Sequence, residues 1–391
     1  MAKTASSFSA LNWALVGFAF SLLIPSTAVV QKYSGVAGVL VYLVVASVIL
    51  VLVRHGSIRT GLTSRLAEKQ VLWLMVLTFG LVLVAFMAVY PIANSGVVGG
   101  GSDGDDALNL AATELMNGRY PYCPKTYLGN AISPLPGALL RAMPFVLLGN
   151  SAYQNFFWLL VFFFSMRSYL KDARFALLLL WALLIFSPAV LHNLLIGSDY
   201  VSNGLYVLLF TLWMVTSLSQ PQPTPGWKSV VLAILLGIGL SSRAIFILIL
   251  PLVFSALVRK AGWKPAIKYT AITSAAFLAI TVPFYLYDPL GFSPLHTVQE
   301  LGQFQSVMPF AGFIIPLVAG LIAIVASLAR PTSRDHTSLF RKCTIVLAFP
   351  VLCGIDLDSI ARGRVYFGFA SFGVFFLFFG AVGSWEGVFE A

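Results

Sequence analysis

Charge is what this sequence has least of. Of 391 residues, 10% are Asp, Glu, Lys or Arg, whereas 59% are hydrophobic and the mean hydropathy is +0.91. Soluble domains carry about 25% charged residues, so a soluble globular fold is excluded. Cysteine is scarce too. Cys343 and Cys353 would sit roughly 15 Å apart along one helix, beyond bridging, and with Cys123 they make no disulfide framework. No His, Cys and carboxylate cluster has zinc-ligand spacing. The apolar runs lack the strict alternation of porin strands, which excludes an outer-membrane barrel. There is no Asn-x-Ser/Thr sequon, which leans towards a prokaryotic protein, and no nucleic-acid-binding module. The 24 basic against 14 acidic residues therefore imply no nucleic-acid partner until their distribution is read.

What the sequence does have is long apolar runs. At about 20 residues per spanning helix, they predict an all-α polytopic transmembrane bundle, a single integral-membrane domain over residues 1–391. About 12 spans are expected, at 11–30, 36–53, 71–92, 151–166, 175–195, 201–218, 230–240, 244–258, 269–287, 309–328, 344–355 and 365–383. Between the third and fourth lies a long loop, 93–150. Its segment 135–148 is short and carries Arg141 and Pro144, so it is expected to be interfacial rather than spanning. All lysines and arginines except Lys32, Arg119, Lys125, Arg141, Arg243, Arg362 and Arg364 then fall in alternate segments. By the positive-inside rule those segments are cytoplasmic, with both termini, and the loop is outside. A prokaryotic inner membrane is the expected location, and the basic segments would touch anionic lipid heads.

Polarity concentrates at Gly99-Gly100-Gly101-Ser102-Asp103-Gly104-Asp105-Asp106. After it, Leu108, Ala111, Ala112 and Leu115 repeat at helical spacing, Gly118 suits a C-terminal cap and Pro121 prevents continuation. A surface helix over 105–117 is expected, with the acids at its N-terminus. Asp103 as N-cap and Asp106 three residues on would make a capping arrangement, which accounts for two acids but not easily for a third.

The segment Asp105-Asp106-Ala107, Ala111-Ala112, Leu115, Gly118, Tyr120-Pro121-Tyr122, then Pro134-Leu135-Pro136-Gly137 to Leu148-Gly149, resembles the GT-C superfamily of integral-membrane glycosyltransferases. The resemblance covers residues 103–149, and continues more weakly at Ile196-Gly197-Ser198-Asp199 and Ser241-Ser242-Arg243. The acidic loop here follows the third span rather than the first. Asp106 stands where Glu is commoner, and Ser133-Pro134-Leu135-Pro136 is an imperfect Pro-Pro-Leu.

The resemblance implies transfer of a sugar, hexosyl or pentosyl, from a polyprenyl-phosphate donor to a lipid, glycan or protein hydroxyl on the outer side, with inversion. It also implies that Asp105, the first acid of the pair, is the catalytic base. Asp103 and Asp106 would cap the helix, position the acceptor or, with Asp105, hold a divalent cation such as Mg or Mn; no other cofactor is expected. A phosphate leaving group needs cations rather than an acid. Arg243, Arg362, Arg364 and Lys125 are the candidates, set against snorkelling to lipid heads or pairing with Asp356 and Asp358. Tyr120, Tyr122, His296 and Asp199 are candidate substrate contacts. The competing expectation is a multi-span transporter or lipid flippase, which would place its ionisable residues near the bilayer midplane.

Overall fold

The structure is a computed structural model describing residues 2–60, 66–95, 101–218, 226–295, 301–330 and 335–389. Helix makes up 83% of it and there is no strand among the described residues. The order is α1 (Ala2–Leu23), a 3-10 turn (Ile24–Ser26), α2 (Thr27–Thr60), α3 (Glu68–Asn94), α4 (Gly104–Met116), α5 (Pro136–Leu147), α6 (Tyr153–Leu170), α7 (Ala173–Phe186), α8 (Pro188–Leu195) and α9 (Tyr200–Ser217). Then follow α10 (Gly226–Leu240), a 3-10 segment (Ala244–Ile249), α11 (Leu250–Ala261), α12 (Trp263–Tyr287), α13 (Ala311–Leu328), α14 (Asp335–Ala361) and α15 (Val374–Phe389).

Among the described residues, eight helical segments are long and apolar enough to cross a membrane, or nine if one bent pair counts as a single span. That is fewer than the expected twelve, for local reasons. The first segment, Trp13–His55, holds two of the expected spans in 43 residues, roughly 65 Å of helix against a hydrocarbon core of about 30 Å. It folds out and back at Gly35, whose φ of 65° interrupts α2. Arg54 reaches the Val388 carbonyl at 3.3 Å, while Ala14, on the outgoing leg, packs against Gly387. The expected span 175–195 is bent by 83° between α7 and α8. Pro188 forces Ser187 out of the helical region, to φ −121° and ψ 84°, as a proline does to its predecessor. Helix α10 has 15 residues, short of a span, and α6 opens on the polar Gln154 and Asn155.

Helix α9 is the centre of the bundle. It is buried on nearly every face and packs against α6, α10 and α15. Phe375, Phe376, Phe378 and Phe379 of α15, with Phe162 and Trp385, are the bulky part of the main apolar core. At the other extreme, α2 and α3 leave Val44, Val48, Trp73, Val84 and Met87 exposed, the composition of a lipid-facing surface. A separate small core lies beneath the loop, where Leu108 and Ala111 of α4 meet Ala138, Leu139 and Ala142 of α5.

The bundle has two chemically different ends. At one, Arg341 bonds the Gly383 carbonyl at 2.8 Å, Lys342 the Ala329 carbonyl at 2.6 Å, and Arg167 pairs with Glu68. At the other, the ends of α3, α10 and α12 meet α4, α5 and the start of α9.

Candidate active site

Helix α4 forms where expected and ends as expected, with Gly118 at φ +70° donating its N–H to the Leu115 carbonyl. Its N-terminus differs from the expectation. Asp103 occupies the N-cap position, yet its side chain makes no cap bond. Its carboxylate instead accepts from Thr126 Oγ1 at 2.7 Å and Asn130 Nδ2 at 2.8 Å. Asp106 accepts from the backbone N–H of Tyr127 at 2.8 Å. Both acids tie the following loop to α4, and the capping account is set aside.

Asp105 is treated differently. It is 2% exposed and turns towards the end of α3, where its Oδ2 accepts from the Tyr90 hydroxyl and, at 3.2 Å, from Asn94 Nδ2. Tyr90 in turn accepts from Asn150 Nδ2 at 2.5 Å, and Oδ1 of Asp105 is buried without a partner. Gly197 closes this pocket with φ +77°. A Cβ there would lie 2.7 Å from the Tyr90 ring and 3.3 Å from the Asp105 carboxyl carbon, so only glycine admits the approach. Burial pushes the Asp105 carboxyl up to about 6, with the Tyr90 hydrogen bond pulling the other way.

A cavity of about 540 Å³ opens beside α4. Asp103, Asn130, Ser133 and Arg243 form its polar side, whereas Leu248, Pro316, Val351, Phe372 and Phe375 make the remainder apolar. Pro316 and Val351 lie well inside α13 and α14, so the cavity runs from the loop into the bundle. Asp105 lies behind this wall, between Gly104 and Ala107, which do line it.

Arg243 sits in extended backbone between α10 and the 3-10 segment. Its Nη2 reaches both carboxylate oxygens of Asp199 at 2.8 Å, its Nη1 bonds Ser133 Oγ at 2.9 Å, and its guanidinium lies 5.5 Å from the Tyr200 ring centre. Asp199 is fully buried. The weak motif Ile196-Gly197-Ser198-Asp199 and the Ser241-Ser242-Arg243 break therefore meet at one ion pair, next to Asp103. Close packing makes this possible. Gly137 at the start of α5 donates to the Ser241 carbonyl at 2.7 Å, and a Cβ on it would lie 2.1 Å from the Ile238 carbonyl oxygen.

The remaining candidates are placed elsewhere. Arg362 pairs with Asp358 at 2.6 Å and covers the Tyr366 ring at 4.2 Å. Arg364 and Lys125 are exposed, and none of these three cations lines the cavity. The Tyr120 hydroxyl bonds the Phe284 and Asp288 carbonyls at 3.1 and 3.3 Å, and that of Tyr122 the Pro134 carbonyl at 3.2 Å. Both tyrosines brace the loop. His296 lies outside the described residues. Asp103, Asp105 and Asp106 point to three separate partner sets, and among the described residues no group of three or more His, Cys, Asp or Glu is arranged to hold a metal ion. Tyr90, Asn94 and Asn150 are not marked by the sequence motifs, and Ser133 enters there only as part of Ser133-Pro134-Leu135-Pro136. The spacing of Tyr90 and Asn94, i and i+4 at the end of a span, was the available signal. Compared with known protein families, curated proteins and solved structures, the chain has no match in any of the three.

Proposed function

We propose that the protein is a membrane-embedded glycosyltransferase. It moves a sugar from a polyprenyl-phosphate carrier to a hydroxyl acceptor at the end of the bundle that holds the acidic loop. The observation that carries this reading is the amphipathic cavity, whose carboxylate and guanidinium face one side while apolar side chains continue into the bundle. An isoprenoid chain fits the apolar part and a sugar phosphate the polar part.

Asp105 is the proposed base. Its raised pKa of about 6 suits a group that must be ionised near neutral pH yet still accept a proton, and Oδ1 is the oxygen not already bonded. In the transfer, the Asp105 side chain first turns past Gly104 from behind the wall into the cavity, and its carboxylate takes the acceptor's O–H proton as that oxygen bonds the anomeric carbon. The bond from that carbon to the phosphate oxygen breaks, and the phosphate leaves with the electron pair. Direct attack inverts the anomeric configuration. Arg243, with Ser133 beside it, faces the leaving phosphate, and Asp103 holds the loop that covers the site. A prokaryotic inner membrane with both termini cytoplasmic is part of the same proposal, the orientation resting on the distribution of basic residues and the prokaryotic origin on the lack of an Asn-x-Ser/Thr sequon.

The test is reconstitution in proteoliposomes with a panel of radiolabelled polyprenyl-phosphate sugars and a lipid extract as acceptor source. Label moving onto an acceptor supports the reading. Exchange of label across the bilayer without transfer would instead mark a transporter or flippase.

A further inference from the structure

The proposed donor site lacks net positive charge if only its wall is counted. Arg243 is held by both oxygens of Asp199 at 2.8 Å, which makes that pair neutral, and Asp103 adds a negative charge beside it. A second cation stands behind the pair. Arg141 of α5 is 7% exposed. Its Nε donates to Gln154 Oε1 at 2.9 Å and its guanidinium lies 5.4 Å from the Tyr206 ring centre, but Nη1 and Nη2 have no hydrogen-bond partner.

Tyr206 and Asp199 lie seven residues apart in and just before α9, on one helical stripe. Between them, Asn203 donates to Asp199 Oδ2 at 2.6 Å and keeps its own Oδ1 unpartnered. One end of the stripe thus meets Arg243 and the other meets Arg141. Removing a charge from water without a bonded counter-ion is unfavourable. Burial pulls the Arg141 pKa down to about 10, with the charge of Asp199 acting against that fall. The group therefore remains protonated at neutral pH.

We infer that Arg141 is a positioning residue of an anion site. Its charge makes the Arg141–Asp199–Arg243 group net positive and offsets the negative charge of Asp103, so that the field of Asp199 is shared between two guanidiniums and Arg243 is left to engage a ligand phosphate. This rests on the lipid-phosphate reading given above and assigns the source of its charge selectivity.

The test uses the full-length protein in neutral detergent, titrated calorimetrically with farnesyl phosphate and, separately, with farnesol. The wild type should bind the phosphate more tightly than the alcohol. Arg141→Gln should weaken phosphate binding about 10-fold or more, the scale of a hydrogen bond to a charged group, while farnesol binding is unchanged. Arg141→Lys should restore most of the difference. The melting temperature of Arg141→Gln should stay level or rise, because an unfavourably buried charge is gone. Unchanged phosphate affinity in Arg141→Gln would overturn the inference while leaving the lipid-phosphate reading intact. Equal loss of both ligands with a lower melting temperature, unrescued by Lys, would make Arg141 structural and overturn it too. A wild type that does not distinguish phosphate from alcohol would sink the lipid-phosphate reading and this inference with it.

Discussion

Asp105 is ionised at neutral pH against the preference of its surroundings. The folded carboxyl titrates at about 6 rather than at its ordinary 3.8 because it is buried. The folded protein therefore binds this proton more tightly than the unfolded chain does. Stability contributed by this group falls as pH rises from about 4 to about 6. Asp105→Asn should flatten that part of the stability profile, measured as melting temperature against pH, and should not lower the melting temperature at pH 7. Under the proposed function, the rate of transfer should respond in the opposite sense, rising through about pH 6 as Asp105 becomes ionised. Asp103 predicts a contrasting outcome, because its partners are Thr126 and Asn130. Asp103→Asn should loosen the loop, seen as faster hydrogen exchange over residues 126–130. That the acids cluster at the start of α4 was legible in the sequence, where three fall within four positions. Which acid is buried was not, because Tyr90, Asn94 and Gly197 come from distant parts of the chain.

At the scale of elements, α4 and α5 were legible because amphipathic spacing, Gly118 and Pro136 mark them locally. Their joint role was not, since it depends on Gly137 touching the carbonyls that end α10. Gly137→Ala would place a methyl group 2.1 Å from the Ile238 oxygen and 2.6 Å from that of Ser241. Backbone does not yield there as a side chain would, so about 1–3 kcal/mol of stability should be lost. Ligand binding at Arg243 should weaken as α5 and Ser133 move away. Thermal unfolding, paired with the farnesyl phosphate titration, measures both. A variant with wild-type values for each would show that the α5–α10 contact does not set the site. Ser187-Pro188 is the opposite case, a break written plainly in the sequence although the apolar run continues through it.

The whole molecule separates its polar chemistry between two ends, and the orientation of those ends is an expectation from charge alone. Cys123 is exposed on the acidic-loop end, while Cys343 is buried in the core. A membrane-impermeant maleimide added to intact cells should label Cys123, checked against Cys123→Ser, and should not label Lys264→Cys made in that background. The reverse pattern would turn the protein over and place the loop on the cytoplasmic side. The helical bundle itself was legible from composition, because a chain this poor in charge has few alternatives in water. The break at Gly35 was not, since it needs one residue's backbone geometry rather than an average over twenty.

A buried carboxylate in the first turn of α4, that of Asp105, is the proposed base for sugar transfer from a lipid phosphate. Purified wild type and Asp105→Asn, reconstituted at equal amounts with a donor the wild type uses, test it most directly. Asn keeps the shape of Asp but does not take up a proton at neutral pH. The variant should fold and bind donor normally and transfer sugar about 100- to 10,000-fold more slowly. Turnover within a few-fold of wild type would contradict the account.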